Sequence, residues 1–499
     1  MAVFVLIVAS CGGTKPDPIA GSSADPLAAG ATSVNDPVPI VNDDDPSTIL
    51  HLEQEWAAQR QRIVDSLTND LYGVGEDDIL RGPGQFELDL GDCPPEWDDH
   101  AGIDETTIRV GLVVPQSGNL SSFDILAEGM GAYFDWVNSV GGIDGRRIEL
   151  ITRDDGYDAA RARAAVEDLL TTADPFMVTN VGSPGAHAVY DDLNAACVPH
   201  PFVVSAHPAW GDPIDHPFTT GFQLSYSTEA LLWGAWIKQN LAAEIPVTVG
   251  ALVTGNDFGQ TYADAFQAWA DNNPDVIAEV TFVSHDPTLL EVEEGMAEIV
   301  DLDPDVFLSM TTGQPCLSAV REAARTGLRD KVLASFTPSV CTQPSSFMIP
   351  LGADGDGFYV IGSGVKSTVD PLFADEPFIR FVDHELRLAG LDPAATLAGV
   401  GFAQYGWAHV EVLRLASELP GGLSRSNLVL ALRSLDLQHP MLLDGVRFST
   451  NGRRDGYPIE GAEASRYDAE AGAWFQQGAT LDLNGSTPRC EWDLLVCGS

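Results

Sequence analysis

The sequence has very little positive charge. It carries 26 lysines and arginines against 73 aspartates and glutamates, so its formal net charge is −47 at pH 7. Its four lysines are Lys15, Lys238, Lys331 and Lys366. Such a surface repels nucleic-acid phosphates and anionic lipid headgroups, because both carry the same sign of charge. The composition therefore argues against nucleic-acid partners and electrostatic membrane docking, and indicates a well-solvated acidic surface.

Long hydrophobic runs are also scarce. Near the start, an apolar run covers residues 2–9, whereas a membrane-spanning helix needs about twenty residues. The run leads into a Val-Ala-Ser-Cys motif that ends at Cys11. We read residues 1–11 as the end of a lipoprotein signal peptide with Cys11 as the acylated mature N-terminus, the alternative being a buried strand. Residues 12–46, rich in Pro, Ala, Gly, Ser and Asp, predict a disordered tether.

Common catalytic and metal-binding motifs are missing. The sequence has no Walker loop, no His-Glu-x-x-His, no Gly-x-Ser-x-Gly and no Cys-x-x-Cys. The pair Asp154-Asp155 follows a predicted strand and could suggest a metal, but such pairs more often form turns. We expect no catalytic residue, no metal site and no cofactor, and hence a protein that is not an enzyme.

Cysteines are few but even in number once Cys11 is set aside. The remaining six are Cys93, Cys197, Cys316, Cys341, Cys490 and Cys497. An even number in an exported chain indicates disulfides, although six cysteines permit 15 pairings. Residues 306–310 and 332–336 read as consecutive parallel strands, which places Cys316 and Cys341 in adjacent loops at one sheet edge. This predicts a Cys316–Cys341 bond and leaves Cys93–Cys197 and Cys490–Cys497 by elimination.

The middle of the chain alternates strand-like and helical patterns. Strands are predicted at 108–114, 148–152, 176–181, 202–205, 247–253, 276–283, 306–310, 332–336 and 358–361. Helices are predicted between them at 133–140, 159–171, 231–241, 262–272 and 318–326. Before them, Ser47 caps a helical pattern with one apolar stripe, and we expect the extension 47–105 to pack on the outside of a lobe. Such alternation predicts parallel sheets covered on both faces, with ligands at the carboxyl ends of the strands.

One of these units carries a recognisable pattern. A predicted strand at 109–114 is followed by the Ser117-Gly118 turn, and Glu128-Gly129 lies in the next predicted helix. The segment Val-Gly-Gly-Ile-Asp-Gly-Arg-Arg-Ile-Glu at 140–149 then leads into the next strand. With Asn138 before it and Asp154-Asp155 after it, this order resembles the leucine-binding-protein-like substrate-binding proteins of branched-chain amino-acid ABC importers. The resemblance covers about 106–480. It implies the type I periplasmic-binding fold, an α/β fold of two doubly wound parallel-sheet lobes joined by a three-strand hinge.

The resemblance also implies the domain boundaries and the ligand site. Lobe one would hold 106–223 and 364–438, lobe two would hold 224–363 and 439–480, and 481–499 would form a C-terminal tail. The ligand site would be built mainly from four strand-end loops, and the implied ligand-binding residues are Ser117, Phe123, Ser183, Gly185, Ala206, His207, Phe258, Thr312, Gly313 and Ser339. Ser183 matches the family serine that binds the ligand α-carboxylate, at a helix N-terminus that suits an anion. Alternatively, Ser183 caps its own helix, Phe123 is a core residue and His207 is an ordinary loop histidine.

Two departures from the family pattern bear on the ligand. The loop in which the family places an acidic residue for the ligand ammonium reads Thr-Pro-Ser-Val-Cys and centres on Ser339. The family aromatic expected near Thr312 or Gly313 is absent as well. A buried ammonium without a carboxylate is costly. Either Asp257 or Asp124 substitutes, or the ligand is not a standard α-amino acid.

These features together predict an extracytoplasmic solute-binding lipoprotein, anchored to the outer face of the cytoplasmic membrane. We expect a monomer that captures a small amino-acid-like or related amphipathic ligand between its lobes and delivers it to ABC permease subunits. The alternative is a ligand sensor coupled to a membrane signalling partner. In both cases ligand would favour the closed form, because it contacts both lobes there.

Overall fold

The computed structural model describes residues 47–244, 246–343 and 347–485, together with two short strands near the C-terminus. The predicted signal peptide end, Cys11 and the tether at 12–46 lie outside the described residues. Within the described part, no helix combines the length and apolar character needed to cross a membrane.

The N-terminal extension packs on the first lobe. Its elements are α1 (Ser47–Asn69), β1 (Gly73–Val74), β2 (Ile79–Gly82) and β3 (Phe86–Asp89), and the strands pair antiparallel. The predicted apolar stripe of α1 is buried: Trp56 packs edge-on against Trp407 and Phe378, with ring centroids 5.5 and 5.7 Å away. The Cys93–Cys197 disulfide ties the end of the extension to the same lobe. The extension therefore shares the core of the first lobe.

The first lobe begins with a three-stranded parallel sheet in the order β5-β4-β6. Its elements are β4 (Thr107–Val114), α2 (Asp124–Ser139), β5 (Arg147–Asp154), α3 (Ala159–Asp168), β6 (Met177–Asn180) and α4 (Ser183–Ala195). The prediction of a strand at 202–205 is wrong, because this segment forms one isolated bridge, between Val181 and Val204. Phe202 adopts φ of 50°, which interrupts an extended backbone. Helices α2 and α4 follow β4 and β6, so their N-termini lie at the carboxyl edge of the sheet.

The second lobe is built on a larger sheet, whose parallel part has the order β11-β10-β9-β7-β8. Its elements are α5 (Tyr226–Asn240), β7 (Val247–Thr254), α6 (Asp257–Asn272), β8 (Ile277–His285), α7 (Glu293–Leu302), β9 (Val306–Met310), α8 (Gln314–Thr326), α9 (Leu328–Lys331), β10 (Ala334–Phe336) and β11 (Tyr359–Gly362). Cys316, in the first turn of α8 after β9, and Cys341, in the segment after β10, form a disulfide with Cα atoms 6.3 Å apart. This is the pairing that the strand order predicts.

The chain then returns to the first lobe through α10 (Pro377–Leu388), α11 (Thr396–Gly399), α12 (Trp407–Glu418), α13 (Arg425–Leu432), β12 (Asp436–Leu437) and β13 (Phe448–Ser449). The boundary predicted at residue 439 lies too early. Met441, Leu442, Phe448 and Ile459 belong to the core of the first lobe. The Phe448 ring lies 5.8 Å from that of Phe202, because β13 pairs with β12 on that side.

The last strands are β14 (Gly461–Asp468), β15 (Ala473–Gln476), β16 (Leu481–Asp482), β17 (Cys490–Glu491) and β18 (Val496–Cys497). β14 adds to the second sheet antiparallel to β11, with Gly362 opposite Glu463. The backbone of β17 pairs antiparallel with that of β18 and sets Cys490 opposite Cys497, whose disulfide stays a prediction. The segments that enter α5, leave β11 and enter β14 connect the lobes, so all three border the space between them.

Candidate ligand-binding cleft

A cleft of about 690 Å³ lies between the two lobes and continues along the segments that connect them. Residues from strand ends of both lobes line one part, and residues 363–373, 394–404 and 469–476 supply much of the other. We call the first part, which includes Ser183 and Tyr226, the cradle end. We call the second part, lined by residues 363–373, 394–404 and 469–476, the hinge end. The volume falls within the range of about 300–1,000 Å³ that is usual for small-molecule sites.

The cradle end holds a closed set of polar contacts. The hydroxyls of Ser183 and Ser205 are 2.8 Å apart, and both residues are buried. The His207 N–H donates to the Ser205 hydroxyl at 3.2 Å. Ser183 is the first residue of α4, Gly182 holds the N-cap position, and the Ser183 hydroxyl pairs with Ser205, so the capping alternative is not what the structure shows. These donors and acceptors satisfy one another.

Tyr226 completes this set from the second lobe. It opens α5, its N–H donates to the Ala206 carbonyl at 2.8 Å, and its side chain is buried in the cleft wall. Burial raises the pKa of Tyr226 to about 12. Tyr226 from the second lobe and Ser183 from the first therefore line the same cleft.

Ser339, at the position of the missing ammonium acceptor, is held by a buried carboxylate. Glu229 accepts the Ser339 N–H and the Ser339 hydroxyl, each at 2.8 Å, and the Tyr262 hydroxyl at 2.7 Å. Burial raises the pKa of Glu229 to about 7 despite these hydrogen bonds. An acidic residue is thus present behind Ser339, but its oxygens already accept three protein donors.

The hinge end has mainly apolar walls. They include Val365, Val369, Phe373, Leu397, Val400 and Trp474. Lys366 is the one basic residue in the described lining, where its ammonium pairs with Glu376 at 2.7 Å and lies 5.5 Å from the centre of the Phe373 ring. The partly buried Glu463 accepts the Gly364 N–H at 2.8 Å, and burial raises its pKa to about 7. Apolar surface and a few fixed polar groups suit an amphipathic ligand.

A contact across the cleft mouth joins the lobes. His187 of α4 lies 3.3 Å from the Asp257 carboxylate at the start of α6. Asp257 is thereby engaged with His187, and Asp124 accepts the Gln116 side-chain amide at 2.8 Å. Neither aspartate lines the cleft, so the structure does not bring either predicted ammonium acceptor to the ligand space.

The cleft contains five of the residues singled out from the sequence, namely Phe123, Ser183, Phe258, Thr312 and Ser339. The others, Ser117, Gly185, Ala206, His207 and Gly313, are not part of its lining.

The reason is clear for two of these residues. Ser117 donates its hydroxyl to Asp154 at 2.6 Å. Gly185 faces Asp155, whose carboxylate would lie 2.8 Å from a Cβ added at this glycine. Asp154 also accepts the Gly156 N–H, as in a turn, and no cluster of metal-ligating side chains occurs in the described residues.

Sequence reasoning missed four polar residues of the cleft region, namely Tyr226, Glu229, Lys366 and Glu463. All four lie at or beside the segments that connect the lobes. Lys366 is one of the four lysines of the chain, and its sequence context predicts no role for it. The scarcity of lysine in so acidic a chain was the available signal for it.

Comparison with known proteins agrees with this architecture. A sequence profile described as periplasmic binding protein matches residues 107–456, more than half of the chain. A comparison with curated protein sequences gives no significant match.

Solved structures match in fold. A fatty acid ABC transporter substrate-binding protein from Thermomonospora curvata superposes with a TM-score of 0.66 at 17% identity, covering 78% of this chain and 96% of that one. A branched-chain amino acid ABC transporter structure from Thermus thermophilus with bound valine gives 0.66 at 14% identity, with 76% and 97% covered.

A solute-binding protein of an ABC transporter from Rhodopseudomonas palustris, in complex with p-hydroxybenzoic acid, gives a TM-score of 0.62 at 17% identity, with 78% and 99% covered. At these identities the structures establish the fold, and the profile establishes the family. The prediction of a binding protein rather than an enzyme is thereby confirmed: the chain belongs to the periplasmic binding protein family and has its two-lobed type I fold.

Proposed function

We propose that the protein is the extracytoplasmic solute-binding component of an ABC importer and that it captures an amphipathic ligand with a large apolar part. The observation that carries this proposal is the hinge end of the cleft. Its walls come from both lobes and the connecting segments, and they are mainly apolar. A ligand that covers them favours the closed form, because it contacts both lobes there.

Exposed apolar side chains at the hinge end support the proposal. Leu372 is 79% exposed and Ile349 is 57% exposed, and both line the cleft. Grouped exposed apolar residues at a cleft are typical of a binding surface. A ligand with an apolar chain covers this surface and removes it from water.

An α-amino acid fits this cleft poorly. The acidic group behind Ser339, Glu229, already accepts three hydrogen bonds from Ser339 and Tyr262. An ammonium buried there would compete with these three donors for the carboxylate oxygens, which is unfavourable. We therefore assign to this protein ligands without an α-ammonium.

Calorimetry with leucine and its deaminated acid, 4-methylpentanoate, tests the assignment. The two compounds share one carbon skeleton and differ in the α-ammonium, so their ratio reports on that group alone. We expect the acid, or its amide, to bind at least as tightly as leucine. Leucine that binds tenfold tighter or more would show that an ammonium site exists and would reject the proposed ligand class.

The anchoring belongs to the same proposal. Acylation at Cys11, followed by the tether at 12–46, would hold a monomer near its permease on the outer face of the cytoplasmic membrane. Replacement Cys11→Ser should release the protein into the medium, as followed by immunoblotting of membrane and soluble fractions. Full membrane retention of the variant, together with a wild-type chain that carries no acyl mass, would contradict the anchor.

A further inference from the structure

We propose that Glu463 recognises the polar head of the ligand and selects an uncharged hydrogen-bond donor, such as a primary amide, over a carboxylate. Glu463 lines the cleft where two of the segments that connect the lobes meet. The assignment rests on the proposed function, since it names the head group that accompanies the apolar part of the ligand.

The carboxylate of Glu463 has one oxygen engaged and one available. Its Oε2 accepts the Gly364 N–H at 2.8 Å. Its Oε1 lies against Gly362, the residue opposite on β11, where an added Cβ would overlap this oxygen. Among the described residues, the one donor hydrogen-bonded to this carboxylate is the Gly364 N–H. Oε1 is therefore left to accept a donor from a ligand in the cleft.

The backbone around Glu463 fixes this acceptor in place. Gly364 has φ of 70°, which favours glycine, and a Cβ added there would lie 2.9 Å from the Gly461 Cα. The Gly364 carbonyl accepts the Leu443 N–H at 2.9 Å. The connecting segments thus touch backbone to backbone beside Glu463. An acceptor held in this way needs little reorganisation when a ligand binds.

The charges of the cleft disfavour a carboxylate at this position. The described lining contains the acidic residues Asp370, Glu463 and Glu470, and its one basic residue is Lys366. The Lys366 ammonium is already paired with Glu376 at 2.7 Å. A ligand carboxylate beside Glu463 would meet a like charge, which is unfavourable where both are partly withdrawn from water. A ligand N–H group donates to Oε1 without adding a charge, and its partner is an ionised acceptor.

Exchange of the acceptor for a donor is the test. In Glu463→Gln, the Gly364 N–H still requires an oxygen, so the side-chain nitrogen takes the place of Oε1. The variant therefore keeps the shape of the side chain and turns an acceptor into a donor. Calorimetry with 4-methylpentanamide and 4-methylpentanoate measures the preference. About pH 8.5 is suitable, because burial raises the pKa of Glu463 to about 7 and the carboxylate predominates above it.

The expected result is a change of preference. The wild type should bind the amide at least about tenfold more tightly than the acid, and in Glu463→Gln this ratio should fall to about one or below. The N,N-dimethyl amide, which has no N–H, should bind the wild type about tenfold more weakly than the primary amide. Asp444→Asn is the matched control, because it removes the same charge from an exposed position outside the cleft lining and should leave the ratio unchanged.

Two results would overturn the proposal. One is equal affinity of the wild type for the amide and the acid, and the other is a ratio that Glu463→Gln leaves unchanged. If Glu463→Gln does not fold, the primary and N,N-dimethyl amides decide on the wild type alone, and equal affinities would overturn the proposal. Absence of binding by every amphiphile would reject the proposed function as well, whereas retained binding without a head-group preference would reject this proposal alone, so the two failures are distinguishable.

Discussion

The two ends of the cleft differ in whether their side chains already have partners within the protein. At the cradle end, the hydroxyls of Ser183 and Ser205 hydrogen-bond with each other, the Tyr226 N–H donates to the Ala206 carbonyl, and all three residues are buried. At the hinge end, Leu372 and Ile349 remain exposed. A surface whose groups are already satisfied gains little from a ligand, whereas exposed apolar surface gains about 25 cal/mol for each Å² that is covered. The difference shows that a matching position in a shared fold does not by itself specify the same ligand chemistry.

The largest expected effect comes from breaking the polar network behind the cradle end. Glu229→Ala removes the acceptor for the Ser339 N–H, the Ser339 hydroxyl and the Tyr262 hydroxyl. Buried donors left unpaired cost about 1–3 kcal/mol each, so we expect the free energy of unfolding to fall by about 4 kcal/mol. Urea unfolding measures it. Glu470→Ala, at an exposed position of the cleft lining, is the control and should change stability little; equal effects of the two variants would contradict the network's role.

The pH dependence of the free energy of unfolding is a second test of the polar network around Glu229. Burial raises the pKa of Glu229 from 4.5 to about 7. Since the folded pKa lies above the unfolded one, the stabilising contribution is present below about pH 4.5 and is lost as pH rises toward 7. At 1.36 kcal/mol per pKa unit, the loss amounts to about 3 kcal/mol over that window.

Glu229→Gln should remove this part of the pH dependence. Urea unfolding between about pH 4.5 and 7 measures the free energy of unfolding of the wild type and of Glu229→Gln. Glu463→Gln serves as the comparison because Glu463 has a similarly raised pKa. Identical pH profiles for wild type and Glu229→Gln would show that Glu229 does not titrate as described.

At the hinge end, Phe373→Ala should weaken ligand binding without a large loss of stability. Phe373 lines the cleft, so truncation removes part of the apolar contact with the ligand. A loss of about 1.5 kcal/mol, or roughly tenfold in affinity, is expected for the best amphiphile. Calorimetry checks it against Phe475→Ala, whose ring is 50% exposed and lies outside the cleft lining. A Phe373→Ala variant with unchanged affinity would place the ligand away from the hinge end.

The smallest effect is expected at the mouth of the cleft. His187 and Asp257 are 41% and 47% exposed, and a pair so exposed contributes about 0.2–1 kcal/mol. His187→Ala should therefore weaken ligand affinity about two- to threefold by favouring the open form, and salt should reduce the difference. His384→Ala, at an exposed position of α10, is the control. A tenfold loss would mean that His187 contacts the ligand directly.

The sequence predicted the sheets well and the cleft only in part. Strand β9 agrees with its prediction at both ends, because a short run of buried apolar residues between turn signals leaves little choice. The Cys316–Cys341 pairing followed from the same strands.

Tyr226 and Glu229 could not be found in this way. They precede the helix predicted from 231, and their partners are distant in sequence: Ser339 follows Glu229 by 110 residues. Polar residues are common in the first turn of a helix, so the sequence pattern does not single them out. Only the tertiary packing shows that Tyr226 lines the cleft and that Glu229 accepts a hydrogen bond from Ser339. Likewise, 439–460 was assigned to the second lobe because a crossover pattern does not reveal which core its apolar residues join.

The central claim, that ligand binding is governed by the apolar hinge end, is tested most directly by calorimetry with a homologous series of straight-chain carboxylates and their amides. If the hinge end dominates, affinity should rise by about 0.8 kcal/mol, or roughly fourfold, for each added methylene until the cleft is filled. The same slope should appear in both series, because the apolar chain is common to them. Affinity that does not change with chain length, together with tighter binding of leucine or valine than of any member of the series, would contradict the account.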